Sequence, residues 1–259
     1  MHHNIWHINN PEDHGPFDII GDVHGCYNEL ILLMEKLGWQ KDNQGQYHHP
    51  KGRKLCFVGD LVDRGPNSPS VLKLAMQIVE SKQGYWVKGN HDDRWARYVK
   101  GNNIQISHGI KETIEQFTKQ PKEFMIETKD FIEDLPIYLI LDDGKLIIAH
   151  AGLKEELHGI NSERSRAFAL FGQPTGKYDE KGYPIRYRWQ DDYQGRPTIV
   201  YGHVALDEVE AINNCYDIDT SCVFGEKLTA LRWPEMEFID VPSQTKWKKP
   251  TIKHKERDR

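Results

Sequence analysis

The chain has 259 residues, enough for one sizeable α/β domain or two small ones. With 38% hydrophobic residues and a mean hydropathy of −0.70 it reads as a soluble globular protein, and no run approaches the roughly 18–20 apolar residues of a transmembrane helix. A net charge of −5 provides no global basic field for nucleic acid, so an anionic substrate would have to be drawn by a local positive site.

Residues 1–16 are polar and His-rich and lack the apolar core of a signal peptide, so a cytoplasmic location is expected. Phe17 to Ile20 reads as a first strand, ending in Gly21-Asp22-Val23-His24-Gly25. Asn28 is the expected cap of an amphipathic helix over Glu29–Leu37, with Leu30, Leu33, Met34 and Leu37 at helical spacing. Residues 41–52 form a polar loop or small hairpin. The short apolar run Leu55 to Val58 has the character of a buried strand, and beyond its carboxyl end come Gly59, Asp60, Asp63, Arg64 and Gly65. A helix over about Ser70–Lys82 and a strand over Tyr85–Val87 follow, leading into Gly89-Asn90-His91. This β-α-β-α-β order predicts a parallel sheet with polar residues at each strand end.

Residues 92–136 read as a helical insertion, broken at Gly101-Asn102-Asn103 and again at Gln120-Pro121. Ile137–Leu141 and Lys145–Ala149 flank Asp142-Asp143-Gly144, a hairpin signal, and the second of these strands ends at His150. Residues 155–195 suggest an irregular surface cap. Thr198–Tyr201 is a further strand, ending at Gly202-His203, and alternating segments from Glu208 to Val241 read as antiparallel strands. With no repeat and no clean linker, residues 1–245 are expected to form one domain and residues 246–259 a basic tail. Cys26, Cys56, Cys215 and Cys222 show no zinc-type spacing and read as reduced thiols in or near the core. His2, His3, His7, His14, His48, His49 and His254 read as surface residues.

The strand ends gather Asp22, His24, Asp60, Asp63, Arg64, Asn90, His91, His150 and His203. In open α/β sheets ligands bind beyond the carboxyl ends of the strands. Mixed carboxylate, imidazole and amide donors suit borderline divalent metals: manganese is the expected ion, with nickel, cobalt, iron or zinc as alternatives. Six ligands (Asp22, His24, Asp60, Asn90, His150 and His203) exceed what one four-coordinate ion uses; they would serve two ions about 3.5–4 Å apart, the arrangement that clamps in-line displacement at phosphorus. Asp60 is the best candidate to bridge them, and a bridging hydroxide of lowered pKa would attack. Such a centre stays positive enough to attract phosphate despite the acidic chain. His91 is the candidate acid for the leaving oxygen, Asp63 would hold its tautomer, and Arg64, together with Asn90, would contact substrate.

These clusters, in order and with their spacing, resemble the signatures of the phosphoprotein-phosphatase family of metallophosphoesterases over roughly residues 17–240. The stretches Arg166 to Gly172, Arg186-Tyr187-Arg188-Trp189 and Asp217 to Arg232 are most similar to bacterial bis(5'-nucleosyl)-tetraphosphatases of the asymmetrical kind and to the phosphatase domain of bacterial polynucleotide kinase–phosphatase. The resemblance implies a calcineurin-like β-sandwich of two mixed sheets flanked by helices, with the late strands in the second sheet. It implies Asp22, His24 and Asp60 on one ion and Asp60, Asn90, His150 and His203 on the other, with His91 and Asp63 as acid dyad. The sequence departs from the family at Asp92, where Glu is usual, at Val204-Ala205, where Thr-Pro is usual, and at Ser221 and Glu226, where close relatives have Gly. Asp219 falls where relatives place a residue near the site.

The expected activity is therefore a dinuclear-metal phosphohydrolase acting on a phosphorylated small molecule, a dinucleoside polyphosphate. The alternatives are a serine/threonine/tyrosine protein phosphatase, an RNA-end phosphatase or phosphodiesterase, and, outside enzymes, a silent module that binds phosphorylated partners. Tyr and Trp within 178–193 could stack on a nucleobase.

Overall fold

The structure, a computed structural model, describes residues 7–178 and 184–247. Of the basic tail only Lys246 and Trp247 fall within these, and His2, His3, His254 and Tyr183 of the cap lie outside them.

The chain opens with β1 (His7–Asn10), β2 (Phe17–Ile20) and α1 (Tyr27–Leu37), followed by a two-strand ribbon of β3 (Gln40–Lys41) and β4 (Tyr47–His48). Next come β5 (Lys54–Phe57), α2 (Ser68–Glu80) and β6 (Gly84–Trp86). Three helices occupy the expected insertion: α3 (Asn90–Val99), α4 (Ile110–Phe117) and α5 (Lys122–Asp134). The hairpin of β7 (Tyr138–Leu141) and β8 (Leu146–Ala149) follows, then α6 (Glu163–Phe171) and the hairpin of β9 (Pro174–Tyr178) and β10 (Pro184–Arg186). The chain continues through β11 (Thr198–Tyr201), β12 (Glu210–Ile212), β13 (Cys215–Asp217), β14 (Lys227–Trp233) and β15 (Glu237–Pro242).

Two mixed sheets stack. The first has the order β15-β14-β2-β5-β6, with β2, β5 and β6 parallel as the βαβ pattern predicts. The second has the order β1-β7-β8-β11-β13-β12, with β8, β11 and β13 parallel to one another. The late strands do not all join the second sheet: β12 and β13 do, but β14 pairs antiparallel with β2 and brings β15 into the first. β1, in a segment without apolar alternation, is held by parallel backbone pairing along β7 and by His7 stacked on Tyr138. His49 is not a surface residue: it is buried against Trp39, and its ring lies 3.1 Å from Leu37 O.

Alternation along the strands explains the layers. Phe17, Ile19, Cys56 and Val58 face Leu139, Leu141, Ile148 and Val200 across the sandwich. Their neighbours Ile20, Leu55 and Phe57 face α1 and α2, while Ile147, Ala149 and Ile199 face Phe168 of α6 and Trp189. Both faces are buried, which is why these strands read as continuous apolar runs. α1 begins one residue earlier than its expected cap, after Cys26, and α2 is capped by Asn67, whose side chain accepts from Ser70 N (3.2 Å).

One charge interrupts the apolar pattern of β2. Asp18 is fully buried, accepting from Arg53 Nε (2.7 Å) and Trp39 Nε1 (2.9 Å), while Arg53 also donates to Phe17 O (2.7 Å) and Glu235 (2.7 Å). Arg53 thus pins the start of β2 to the turn after β14. Arg53→Ala leaves the buried Asp18 with Trp39 and, at 3.5 Å, Arg232 Nε as its remaining partners, and is expected to lower stability by about 1.5–3 kcal/mol in denaturant unfolding.

Candidate active site

The carboxyl ends of five strands, three from the first sheet and two from the second, meet at one place. β2 delivers Asp22 and His24, β5 delivers Asp60, Asp63 and Arg64, and β6 delivers Asn90 and His91; β8 delivers His150 and β11 delivers His203. The turns that follow these strands are unusual. His24 (φ 44°), Asp60 (φ 51°), Asp63 (φ 74°), Arg64 (φ 68°) and His203 (φ 76°) all adopt left-handed backbone, which non-glycine residues resist. Close approach is secured by glycine: a Cβ on Gly89 would lie 2.2 Å from Asp60 N, and one on Gly202 would lie 2.1 Å from Asp22 Oδ1.

Asp60 is the hub. Its Oδ1 accepts from His91 N (2.8 Å), and its Oδ2 lies 3.3 Å from His150 Nε2, 3.7 Å from His24 Nε2 and 3.9 Å from His91 Nε2. Around it are two sets of potential metal donors, His24/Asp60/His91 and Asp60/His150/His203, with Asp60 common to both. His150 Nε2 is also 2.9 Å from Asn90 Oδ1 and 3.1 Å from His203 Nδ1, and Asp22 Oδ2 is 4.0 Å from His24 Nε2. All nine residues expected from the sequence are therefore brought together.

The tautomers fit metal ligation. His24 Nδ1 lies 2.7 Å from Val62 O, and His150 Nδ1 lies 3.1 Å from Val58 O. A carbonyl accepts only, so each Nδ1 carries a proton, which leaves Nε2 as the nitrogen that could ligate an ion, as in metal-binding histidines. Burial, then Arg64, holds His24 well below the usual histidine range, and burial, then His150, does the same for His203. Both are neutral. Burial opposes ionisation of Asp60, but His150 and His91 outweigh it and hold its carboxyl well below the usual range. Burial and the neighbouring Asp219 and Asp60 push Asp22 well up. A divalent cation reverses that penalty, so this donor set fits one.

The His91–Asp63 pair is in place, with His91 Nδ1 2.6 Å from Asp63 Oδ2. Asp63 is in turn held by the insertion: its N donates to Thr113 Oγ1 on α4 (2.9 Å), and Thr113 Oγ1 donates to Asp63 Oδ1 (2.9 Å). Arg64 directs Nη2 at His91 Nε2 (2.8 Å) and Nη1 at His24 Nε2. The sequence gives no hint of Thr113, an ordinary threonine in a helix.

Beside His203 opens a cavity of about 310 Å³, lined among others by Arg186, Trp189, Gln190, Tyr201 and Asp217. Arg186 is partly buried there, and among the described residues it has no ion-pair partner and the buried hydroxyl of Tyr201 no hydrogen-bond partner. A larger groove, about 700 Å³, lies between α1, α2 and α5 and contains none of these residues. Ser221, which departs from the glycine usual in the family it resembles, takes a left-handed φ of 58°, and its N donates to Asp219 Oδ1 (3.2 Å).

The profile of the calcineurin-like phosphoesterase family matches residues 15–239. The chain is 43% identical over 231 residues to the asymmetrical bis(5'-nucleosyl)-tetraphosphatase PrpE of Anoxybacillus flavithermus strain DSM 21510 / WK1, covering 88% of this chain and 94% of that protein. A protein of the same name from Geobacillus sp. strain WCH70 is 45% identical over 230 residues, covering 87% and 94%. Among solved structures, one proposed to be a diadenosine tetraphosphatase matches with a TM-score of 0.67 at 24% identity, covering 92% of this chain and 97% of that one. A serine/threonine phosphatase of Saccharomyces cerevisiae matches at 0.58 and 15% identity, covering 93% and 83%. These two likenesses concern the fold alone.

Asp92 fastens the two loops beneath the hub. Fully buried, it accepts from Asp60 N (3.0 Å), Leu61 N (3.0 Å), Gly89 N (2.9 Å) and Trp86 Nε1 (3.2 Å). Burial, then Asp60, pushes its carboxyl up to about 7. Asp92→Asn turns an amide donor toward donors, and is expected to cost about 1–3 kcal/mol in thermal unfolding and to lower activity by displacing Asp60 and His91 together.

Proposed function

This chain belongs to the calcineurin-like phosphoesterase family and is a metal-dependent hydrolase, and from that premise we propose that it cleaves dinucleoside polyphosphates with two divalent ions, manganese foremost. Asp22, His24 and Asp60 would hold one ion, and Asp60, Asn90, His150 and His203 the other. The observation that supports this most is the Asp60 carboxylate placed between His24 on one side and His150 and His203 on the other. When bound, the ions supply a water of lowered pKa and neutralise charge on the phosphoryl oxygens.

The chain's own residues do the rest. Arg64 presents a planar fork of N–H donors to the phosphoryl oxygens. Asp63 fixes a proton of His91 at Nδ1, which leaves Nε2, the atom that Arg64 now faces, as the position from which a proton would pass to the leaving oxygen once Arg64 turns to the phosphate. The cavity beside His203 supports a substrate that extends past the reacting phosphorus: Arg186 can take a further phosphate, and the rings of Trp189 and Tyr201 offer apolar walls for a nucleoside. A cytoplasmic setting agrees with four cysteines that are all free and buried. Among the described residues no helix is long and apolar enough to cross a membrane.

Purified protein given Mn²⁺ should turn over diadenosine tetraphosphate more efficiently than a phosphopeptide or a 3'-phosphorylated oligonucleotide, with products separated by chromatography. The opposite ranking overturns the substrate reading. Dialysis against a chelator should abolish turnover, and His91→Ala should lower kcat by about 10²–10⁴-fold without reducing bound metal. Arg186→Ala should raise KM for the dinucleotide by about tenfold while leaving KM for an aryl phosphate unchanged.

A further inference from the structure

Residues 243–247 do not leave the surface after β15 but double back over three elements. Ser243 N donates to Glu226 O (2.8 Å), and Gln244 N to the buried Glu29 carboxylate of α1 (2.8 Å). Trp247 N donates to Val223 O (2.8 Å), and the indole N–H to Glu112 Oε1 of α4 (2.7 Å). The Trp247 ring packs on Phe224, centroids 6.0 Å apart. The guanidinium of Arg64 in turn lies over the Phe224 ring, with Cζ 5.3 Å from the ring centroid.

The arrangement answers a problem specific to Arg64. No described carboxylate lies within ion-pair distance of its guanidinium, whose side-chain hydrogen bonds are the two to His24 and His91. Its backbone is tied to the insertion, Arg64 N donating to Gly109 O (3.0 Å), but that does not set the tilt of the guanidinium plane. An aromatic ring beneath a guanidinium restricts that tilt without using any of its N–H donors, which can turn from the histidines to an oxyanion.

We infer that Trp247 and Phe224 are positioning residues for substrate phosphate: the 243–247 strap fixes the Phe224 ring, the ring fixes the plane of Arg64, and that plane aims the N–H fork. This rests on the reading of Arg64 as a phosphate ligand. The strap also explains why the insertion and the C-terminal segment touch each other at Glu112, since together they flank Arg64, the cationic side chain that contacts His24 and His91.

The test uses the full chain with Mn²⁺, an aryl phosphate as substrate and orthophosphate as competitive inhibitor, with bound metal and melting temperature measured in parallel. Trp247→Ala is expected to raise KM and the orthophosphate inhibition constant together by about three- to tenfold, with kcat within about twofold and metal content unchanged. Trp247→Phe, which keeps a ring, should recover most of the loss. In an Arg64→Ala background, Trp247→Ala should add nothing. An equal effect of Trp247→Ala in both backgrounds, or a lower melting temperature with an unchanged inhibition constant, overturns the strap. Unchanged KM and inhibition constant in Arg64→Ala alone would instead refute the phosphate role of Arg64, and the strap with it. If Trp247→Ala does not fold, Glu112→Ala removes the indole's partner and should shift the inhibition constant the same way by a smaller factor; no shift overturns the proposal.

Discussion

The site depends on one constraint: the carboxylate of Asp60 must be held out of water between three imidazoles, with one oxygen left to face them. A buried carboxylate is costly without partners. Here His91 N takes one oxygen, the imidazoles surround the other, and Asp92 holds the backbone on either side. The left-handed backbone at Asp60, Asp63 and Arg64 follows from the same need, because the chain must turn sharply to aim three side chains at one point within five residues.

The parts added to the sandwich have separate tasks. The insertion supplies Thr113 to the Asp63 carboxylate and Gly109 to the Arg64 backbone, so it acts on the residues proposed to meet the phosphoryl group. The 155–195 region supplies α6, the β9–β10 hairpin and Arg186 and Trp189 to the adjacent cavity. Candidate ligands at rigid strand ends and candidate substrate groups on connecting segments would follow the usual division between a fixed centre and a variable surface.

Much of this was legible in the sequence because it is local. Leu55 to Val58 followed by Gly59 and Asp60 announces a strand and what lies beyond it, and the same logic found His150 and His203. The insertion's breaks were also visible, since Gly101 and Pro121 punctuate helices wherever they occur. What could not be read was pairing over distance. The residues of β14 favour a strand, but nothing in their alternation says that they join β2 rather than the second sheet. β1 has no apolar pattern at all and owes its place to backbone bonds along β7. Thr113 meets Asp63 across 50 residues of chain, and Phe224 meets Arg64 across more, so their parts exist only in the folded state.

Because donors come from the carboxyl ends of both sheets, any ion held by Asp60 together with His150 and His203 is a rivet through the two layers of the sandwich. An ion that binds only the folded chain adds about 1.4 kcal/mol for each tenfold rise in its free concentration above the dissociation constant. With such an ion in place, the lifetime of the protein would follow metal supply: scarcity would loosen the seam between the sheets and expose the chain to proteolysis as well as silencing it.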